Sequence, residues 1–169
     1  MAGEKIIVEC YGDSLLIKQL KHEYLADHSS IGQVANRMIG YFENRFALAV
    51  IDSDKALGPG YFKKENLKVA GNAINGVQLY KCKGKYHYVI KIVPAFEGFI
   101  LAAAEEADFD RGKFKLPADE KEFRKICKRS DLHANQRMVN FVNAIVTKNP
   151  PSIKALRLAI AEAFKNKHR

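Results

Sequence analysis

The sequence predicts an α/β fold: a mostly parallel sheet flanked by helices, with a basic helical extension at the C-terminus. Two apolar runs of strand length, KIIVE at 5–9 and FALAVID at 46–52, each lead into an acidic turn. A run apolar on both faces suits a central parallel strand covered by helices on each side. Between and after these runs, apolar residues recur at helical spacing, and the last third reads as helix throughout. Residues 1–110 are therefore assigned to an α/β domain, and 111–169 to a basic helical extension packed on it.

The elements follow in order. After the first strand and the turn YGDS, Leu15, Leu16, Leu20 and Tyr24 predict a helix over 14–26. ADHSS breaks it. In GQVANRMIGYFENR, Val34, Met38, Tyr41 and Phe42 share one helical face, so 27–45 reads as helix and not strand. The second strand follows, then a loop marked by Gly58, Pro59 and Gly60. A short helix is expected at 62–70. VQLYKC and YHYVIKIV form a hairpin about Lys83-Gly84-Lys85, and Pro94 ends its second strand. FEGFILAAAEEA is a helix and RGKFKLP a basic connector. Three helices remain. The first turns Phe123, Ile126 and Cys127 inward. Asp131 can cap the second, whose core face is Met138, Val139, Val142, Ile145 and Val146. Pro150-Pro151 stops it, and Ser152 can cap the last, with Ile153, Leu156, Ile160 and Phe164 inward.

Composition excludes several classes. A hydrophobic fraction of 47% with ten Phe and seven Tyr is not that of a disordered chain. No uncharged apolar run approaches the ~20 residues of a membrane helix. MAGEKIIVEC does not read as a secretory signal. The three cysteines, Cys10, Cys82 and Cys127, are far apart and form no CxxC, so neither a disulfide framework nor a cysteine zinc site is expected. A soluble, cytoplasmic protein without membrane contact is the expectation.

The net charge of +9 is unevenly spread. Residues 111–169 hold 15 basic and 5 acidic side chains, whereas 1–60 hold 6 and 8. Such asymmetry suggests a polyanion-facing segment on a neutral or acidic body, or a solvated Lys-rich helical surface. The candidates for nucleic-acid contact are Lys125, Lys128, Arg129, Lys154 and Arg157.

The acidic turns are the most informative feature. Glu9 and Asp13 follow the first strand, and Asp52 and Asp54 flank Ser53 after the second. Parallel strands open their C-terminal ends onto one edge, where α/β proteins place ligands. Carboxylates crowded there repel one another unless a divalent cation binds, and oxygen ligands favour Mg²⁺ or Mn²⁺. Glu97, after a strand and at a helix start, is a further candidate ligand. Each acid also has a structural reading: Asp13 as a cap of the first helix, Glu97 as a partner of a helix dipole. No HExxH, no G-x-S-x-G elbow and no P-loop occurs. Acids at two strand ends would also suit a phosphoacceptor receiver with Asp52 as acceptor, but Glu9 and Asp13 are not adjacent.

VECYGDSLL resembles the first motif of the Toprim domain, VEG-x-x-D, and VIDSDK resembles its DxD motif. Order, preceding strands and separation fit over roughly 5–100. The resemblance implies a Rossmann-like Toprim fold and phosphoryl transfer on DNA or RNA. Glu9 would be general acid/base or metal ligand, Asp13 the trailing acid, and Asp52 and Asp54 the Mg²⁺ or Mn²⁺ pair. Glu97 is similar to the extra acids in the overcoming-lysogenization-defect nucleases, and a separate ATPase is an implied partner. Lys55 and Lys91 are candidates for neutralising transition-state charge. The chain departs from the family at Cys10, where glycine is usual, with Gly12 available for flexibility. A strand usual between the first two helices is not evident. A non-catalytic nucleic-acid-binding module on the same scaffold is the alternative function.

Overall fold

The two apolar runs lie side by side. In the computed structural model, which describes residues 5–52 and 60–168, β1 (Ile7–Val8) pairs in parallel with β2 (Ala47–Asp52), Val8 opposite Val50. The 77–92 hairpin supplies β4 (Val77–Cys82) and β5 (His87–Ile92), turning at Gly84 with φ of +71°. β5 lies parallel to β2, and β3 (Leu67–Val69) adds antiparallel to β4. The order is β1-β2-β5-β4-β3, an open mixed sheet. Two of its four pairings are antiparallel, fewer parallel ones than expected, because a tight hairpin joins only antiparallel neighbours.

Strand alternation sorts side chains onto two faces. Ile6, Val8, Leu48, Val50 and Ile90 meet α1 (Tyr11–Gln19), α3 (Phe96–Glu106), α5 (Gln136–Lys148) and α6 (Pro151–Lys165) in one continuous core. Phe123 and Cys127 of α4 (Glu120–Cys127) join it. Ile7, Ala49, Ile51 and Val89 face Val34 and Ala35 of α2 (Ile31–Asn36), and also Met38 and Phe62. Each such aliphatic burial is worth about 1.5–3 kcal/mol. Among the described residues, no helix is long and apolar enough to cross a membrane.

Several elements differ from expectation for local reasons. The first helix stops at Gln19 because Lys21 adopts a left-handed conformation, φ +68°. Lys21 N–H then donates to Lys18 O and His22 N–H to Ile17 O, a Schellman end with lysine at the position glycine favours. The chain turns back, and 23–29 runs beside β1: Ile6 N–H donates to Glu23 O, Leu25 N–H to Ile6 O and Ser29 N–H to Glu9 O. This irregular segment covers the β1 edge. Lys21→Gly is expected to stabilise the protein by about 0.5–1 kcal/mol, read as a higher urea midpoint.

The helix expected over 27–45 begins only at Ile31, because Ser29 is drawn to Glu9 O, and it passes from α2 into a π-helical turn at Arg37–Tyr41. The helix expected at 62–70 is replaced by two 3₁₀ turns and β3, which satisfies the otherwise open edge of β4. Asp131 does not cap α5. A 3₁₀ turn at Leu132–Ala134 intervenes, so Asn135 caps it through Met138 N–H, while Asp131 takes both guanidinium contacts of Arg129 at 2.8 Å. Ser152 lies inside α6. Its N–H and hydroxyl donate to Glu106 at 2.8 and 2.7 Å, tying α6 to the end of α3.

Candidate metal centre

β1 and β2 deliver their ends to one edge, and α1 starts there at once. Cys10 is its N-cap: Sγ accepts Asp13 N–H, and Asp13 Oδ2 accepts Cys10 N–H, each at 3.3 Å. This is a capping box with cysteine in the place of serine. The capping reading of Asp13 thus holds for one oxygen. The other, Oδ1, is buried and has no hydrogen-bond partner among the described residues.

Ligand atoms of Cys10, Asp13 and Asp52 lie within 4.8 Å of one another. Asp52 Oδ1 accepts the N–H of Phe96 at 3.0 Å. It thereby caps α3, whose own N-cap, Ala95, has no side-chain acceptor. Glu9 Oε2 accepts Asp52 N–H at 3.0 Å, fastening the two strand ends together. Glu97, in the first turn of α3, lines a cleft of about 270 Å³ together with Cys10 and Asp52. All four carboxylates are withdrawn from solvent: Asp13 is 0% exposed, Glu9 1%, Asp52 8% and Glu97 9%.

Burial dominates the electrostatics. It holds the Asp13 carboxyl well above the usual carboxylate range, helped by the charges of Asp52 and Glu9. Burial, then Asp13 and Asp52, push the Cys10 thiol up. Burial, then Glu97, raise Cys127 to about 12. Thiolate is the metal-binding form of cysteine, and these surroundings oppose it. The effective donors are oxygens, and an orphaned buried carboxylate oxygen beside the Asp52 carboxylate suits a hard divalent cation.

Other expected residues fall elsewhere. Asp54 and Lys55 lie outside the described residues. Lys91 pairs in register with Ile51, so it leaves the sheet on the face opposite Asp52, its ammonium 5.1 Å from the Tyr80 ring centroid. It is not among the described residues lining the cleft. Of the five basic candidates only Lys128, at the end of α4, lines it. Lys125 pairs with Glu122 at 2.6 Å and Arg129 with Asp131 at 2.8 Å. Lys154 borders a separate hollow between α6 and 70–79, and Arg157 donates to Asn149 Oδ1 at 3.2 Å.

Gly12 serves space, not flexibility. A Cβ there would sit 2.2 Å from Phe96 Cδ1. Phe96 is the residue whose N–H holds Asp52. Gly12→Ala is expected to cost about 1–3 kcal/mol of stability by overpacking and to weaken cation binding with it. Thermal melting with and without Mn²⁺ checks both effects.

A nearby Ser–His–Asp group is not a nucleophilic relay. His133 Nε2 lies 2.8 Å from Ser14 Oγ and 3.5 Å from Asp27 Oδ1, so one ring nitrogen makes both contacts. A relay needs the acid on the other nitrogen. Ser14 Oγ is also 2.9 Å from the carbonyls of Tyr11 and Asp27, and it is fully buried. These contacts clamp the 23–29 segment between α1 and the 132–134 turn.

Sequence reasoning missed Cys10, Tyr11 and His28 as site residues. Cys10 stood out as a departure from a motif, although its spacing to Asp13 is that of a capping box. Nothing in ADHSS signals that His28 returns to the β1 end. Comparison of the chain with protein-family models, curated proteins and solved structures returns no match.

Proposed function

We propose that the protein is a small Toprim-like nuclease, hydrolysing phosphodiesters of nucleic acid with Mg²⁺ or Mn²⁺. The observation that carries this reading is the buried Asp13 Oδ1, without a hydrogen-bond partner among the described residues, beside the Asp52 carboxylate at two parallel strand ends. Removing charge from water without a partner is costly, and the cost is recovered when a cation binds. Asp13 and Asp52, whose carboxylate oxygens lie within 4.8 Å of each other, are the residues that would hold the ion, and Glu97 lines the adjoining cleft. When bound, it supplies Lewis-acid stabilisation to a phosphoryl group and a lowered pKa for an attacking water.

The chain's own groups do the rest. Glu9 is a positioning residue, because its carboxylate fixes the Asp52 backbone. Asp52 in turn fixes the start of α3, which sets Glu97 in the cleft. Lys128 meets the phosphate as a charge-assisted donor. A non-catalytic nucleic-acid-binding module is the second reading, favoured by one fact: Glu9 is engaged with a backbone amide. Plasmid nicking and oligonucleotide cleavage with Mg²⁺ or Mn²⁺, wild type against Asp52→Asn, separate the two. Activity in wild type alone supports the nuclease. Equal activity in both, or none on DNA or RNA, overturns it.

A further inference from the structure

The cleft beside the carboxylates carries two rings and a cation. Tyr11 and His28 stack with centroids 4.9 Å apart and planes inclined by 27°. Both line the cleft. Tyr11 is half-buried at the first position of α1, and His28 is exposed at the end of the segment beside β1. Lys128 lines the cleft too. Its neighbours Arg124, Lys125 and Arg129 each face a carboxylate within 4.0 Å, whereas no described carboxylate pairs with Lys128.

A nucleotide complements all of these at once. A flat base suits the outer face of the ring stack, worth about 1–3 kcal/mol per base in other proteins. A phosphate suits Lys128 and, through a cation, the carboxylates. The cleft is also narrow, about 270 Å³, and its acids are nearly shut off from solvent. A duplex keeps each base face covered by its neighbours, so it cannot offer a base to the stack without extruding it. A single strand offers base face and phosphate together.

We propose that the ligand of this cleft is single-stranded nucleic acid, held with one unstacked base on the Tyr11–His28 pair and an adjoining phosphate against Lys128. This rests on the phosphoryl-transfer reading for what is done to the strand, not for what is bound.

The test uses the full chain and oligonucleotides carrying 2-aminopurine, whose fluorescence is quenched on aromatic stacking. The protein has no Trp, so the probe is excited without indole background. Binding is measured with Ca²⁺ and without metal, and cleavage separately with Mg²⁺ and Mn²⁺. The expected result is quenching by a single strand and at least tenfold weaker binding of a blunt duplex. His28→Ala and Tyr11→Ala each lower single-strand affinity about tenfold and remove quenching, Tyr11→Phe preserves both, and Lys128→Ala flattens the salt dependence. Equal affinity for duplex and single strand overturns the proposal. So does quenching that survives His28→Ala while Tm falls, since the stack is then structural only. Free mononucleotide binding as tightly as the oligonucleotide overturns it in favour of a small nucleotide ligand. Single-strand quenching with no cleavage of any substrate removes the nuclease reading and leaves this one standing. Cleavage of duplex and single strand alike, unaffected by His28→Ala, does the reverse.

Discussion

Asp52→Asn is expected to lower metal-dependent strand cleavage about 10³-fold, roughly 4 kcal/mol of transition-state stabilisation. The substitution separates charge from architecture. Asparagine keeps a carbonyl oxygen to accept the Phe96 N–H, so α3 stays capped and Glu97 stays in the cleft. The Glu9 contact is to the Asp52 backbone and is untouched. What is lost is one negative charge beside Asp13. Single-turnover cleavage rates, with thermal melting as the folding control, read the effect. A comparable loss of melting temperature would assign Asp52 to the fold and not to the chemistry.

Asp13→Asn is expected to stabilise the metal-free protein at neutral pH by about 1–3 kcal/mol, the usual cost of a buried polar group without a partner. For a chain of this size that is a rise in Tm of roughly 2–10 °C. Asparagine Oδ1 can keep the bond to Cys10 N–H, and its Nδ2 brings a donor into a site where an Asp52 carboxylate oxygen lies within 4.8 Å of the side chain. The pH dependence has a definite sign. The folded-state pKa of Asp13 lies above its unfolded value of about 3.9, so the folded state binds the proton more tightly. Stability from this group is fully present below about pH 3.9 and declines as pH rises through the raised folded value. Above that value the penalty is complete. Metal-free wild type should therefore fall behind Asp13→Asn as pH rises, and the two should converge in acid. Melting curves across pH in the presence of chelator check this. Added Mn²⁺ should raise the wild-type Tm and leave the variant nearly unchanged.

Much of the fold is legible where patterns are long or doubly buried. FALAVI is apolar at every position and, with Asp52 at its end, becomes the interior strand β2, buried throughout. The hairpin about Gly84 and the core faces of α5 and α6 follow from turn chemistry and helical spacing. Tertiary context decides the rest. Tyr24 has helical spacing from Leu20, yet Lys21 turns left-handed and Ile6 takes the chain back as a pseudo-strand. Leu67 has weak local preference, and β4 recruits it. Ser152 and Asp131 look like caps, but Glu106 and a 3₁₀ turn change their partners.

The site was legible in its acids and not in its wiring. Glu9, Asp13, Asp52 and Glu97 do gather at one edge, because β1 and β2 are parallel and α3 starts beside them. Their different duties come from hydrogen bonds across 43 or 44 residues of sequence, which no spacing rule reveals. The basic third was legible as charge. That Lys128 alone of its cluster reaches the cleft depends on where α4 ends.

Everything proposed for the site requires that the buried carboxylates hold a divalent cation. Titration of the full chain with Mn²⁺, following free ion by electron paramagnetic resonance, tests it most directly. Saturable binding is expected, weakened at least tenfold by Asp13→Asn and by Asp52→Asn, with both variants folded. No saturable binding by the wild type, or equal binding by all three proteins, would contradict it.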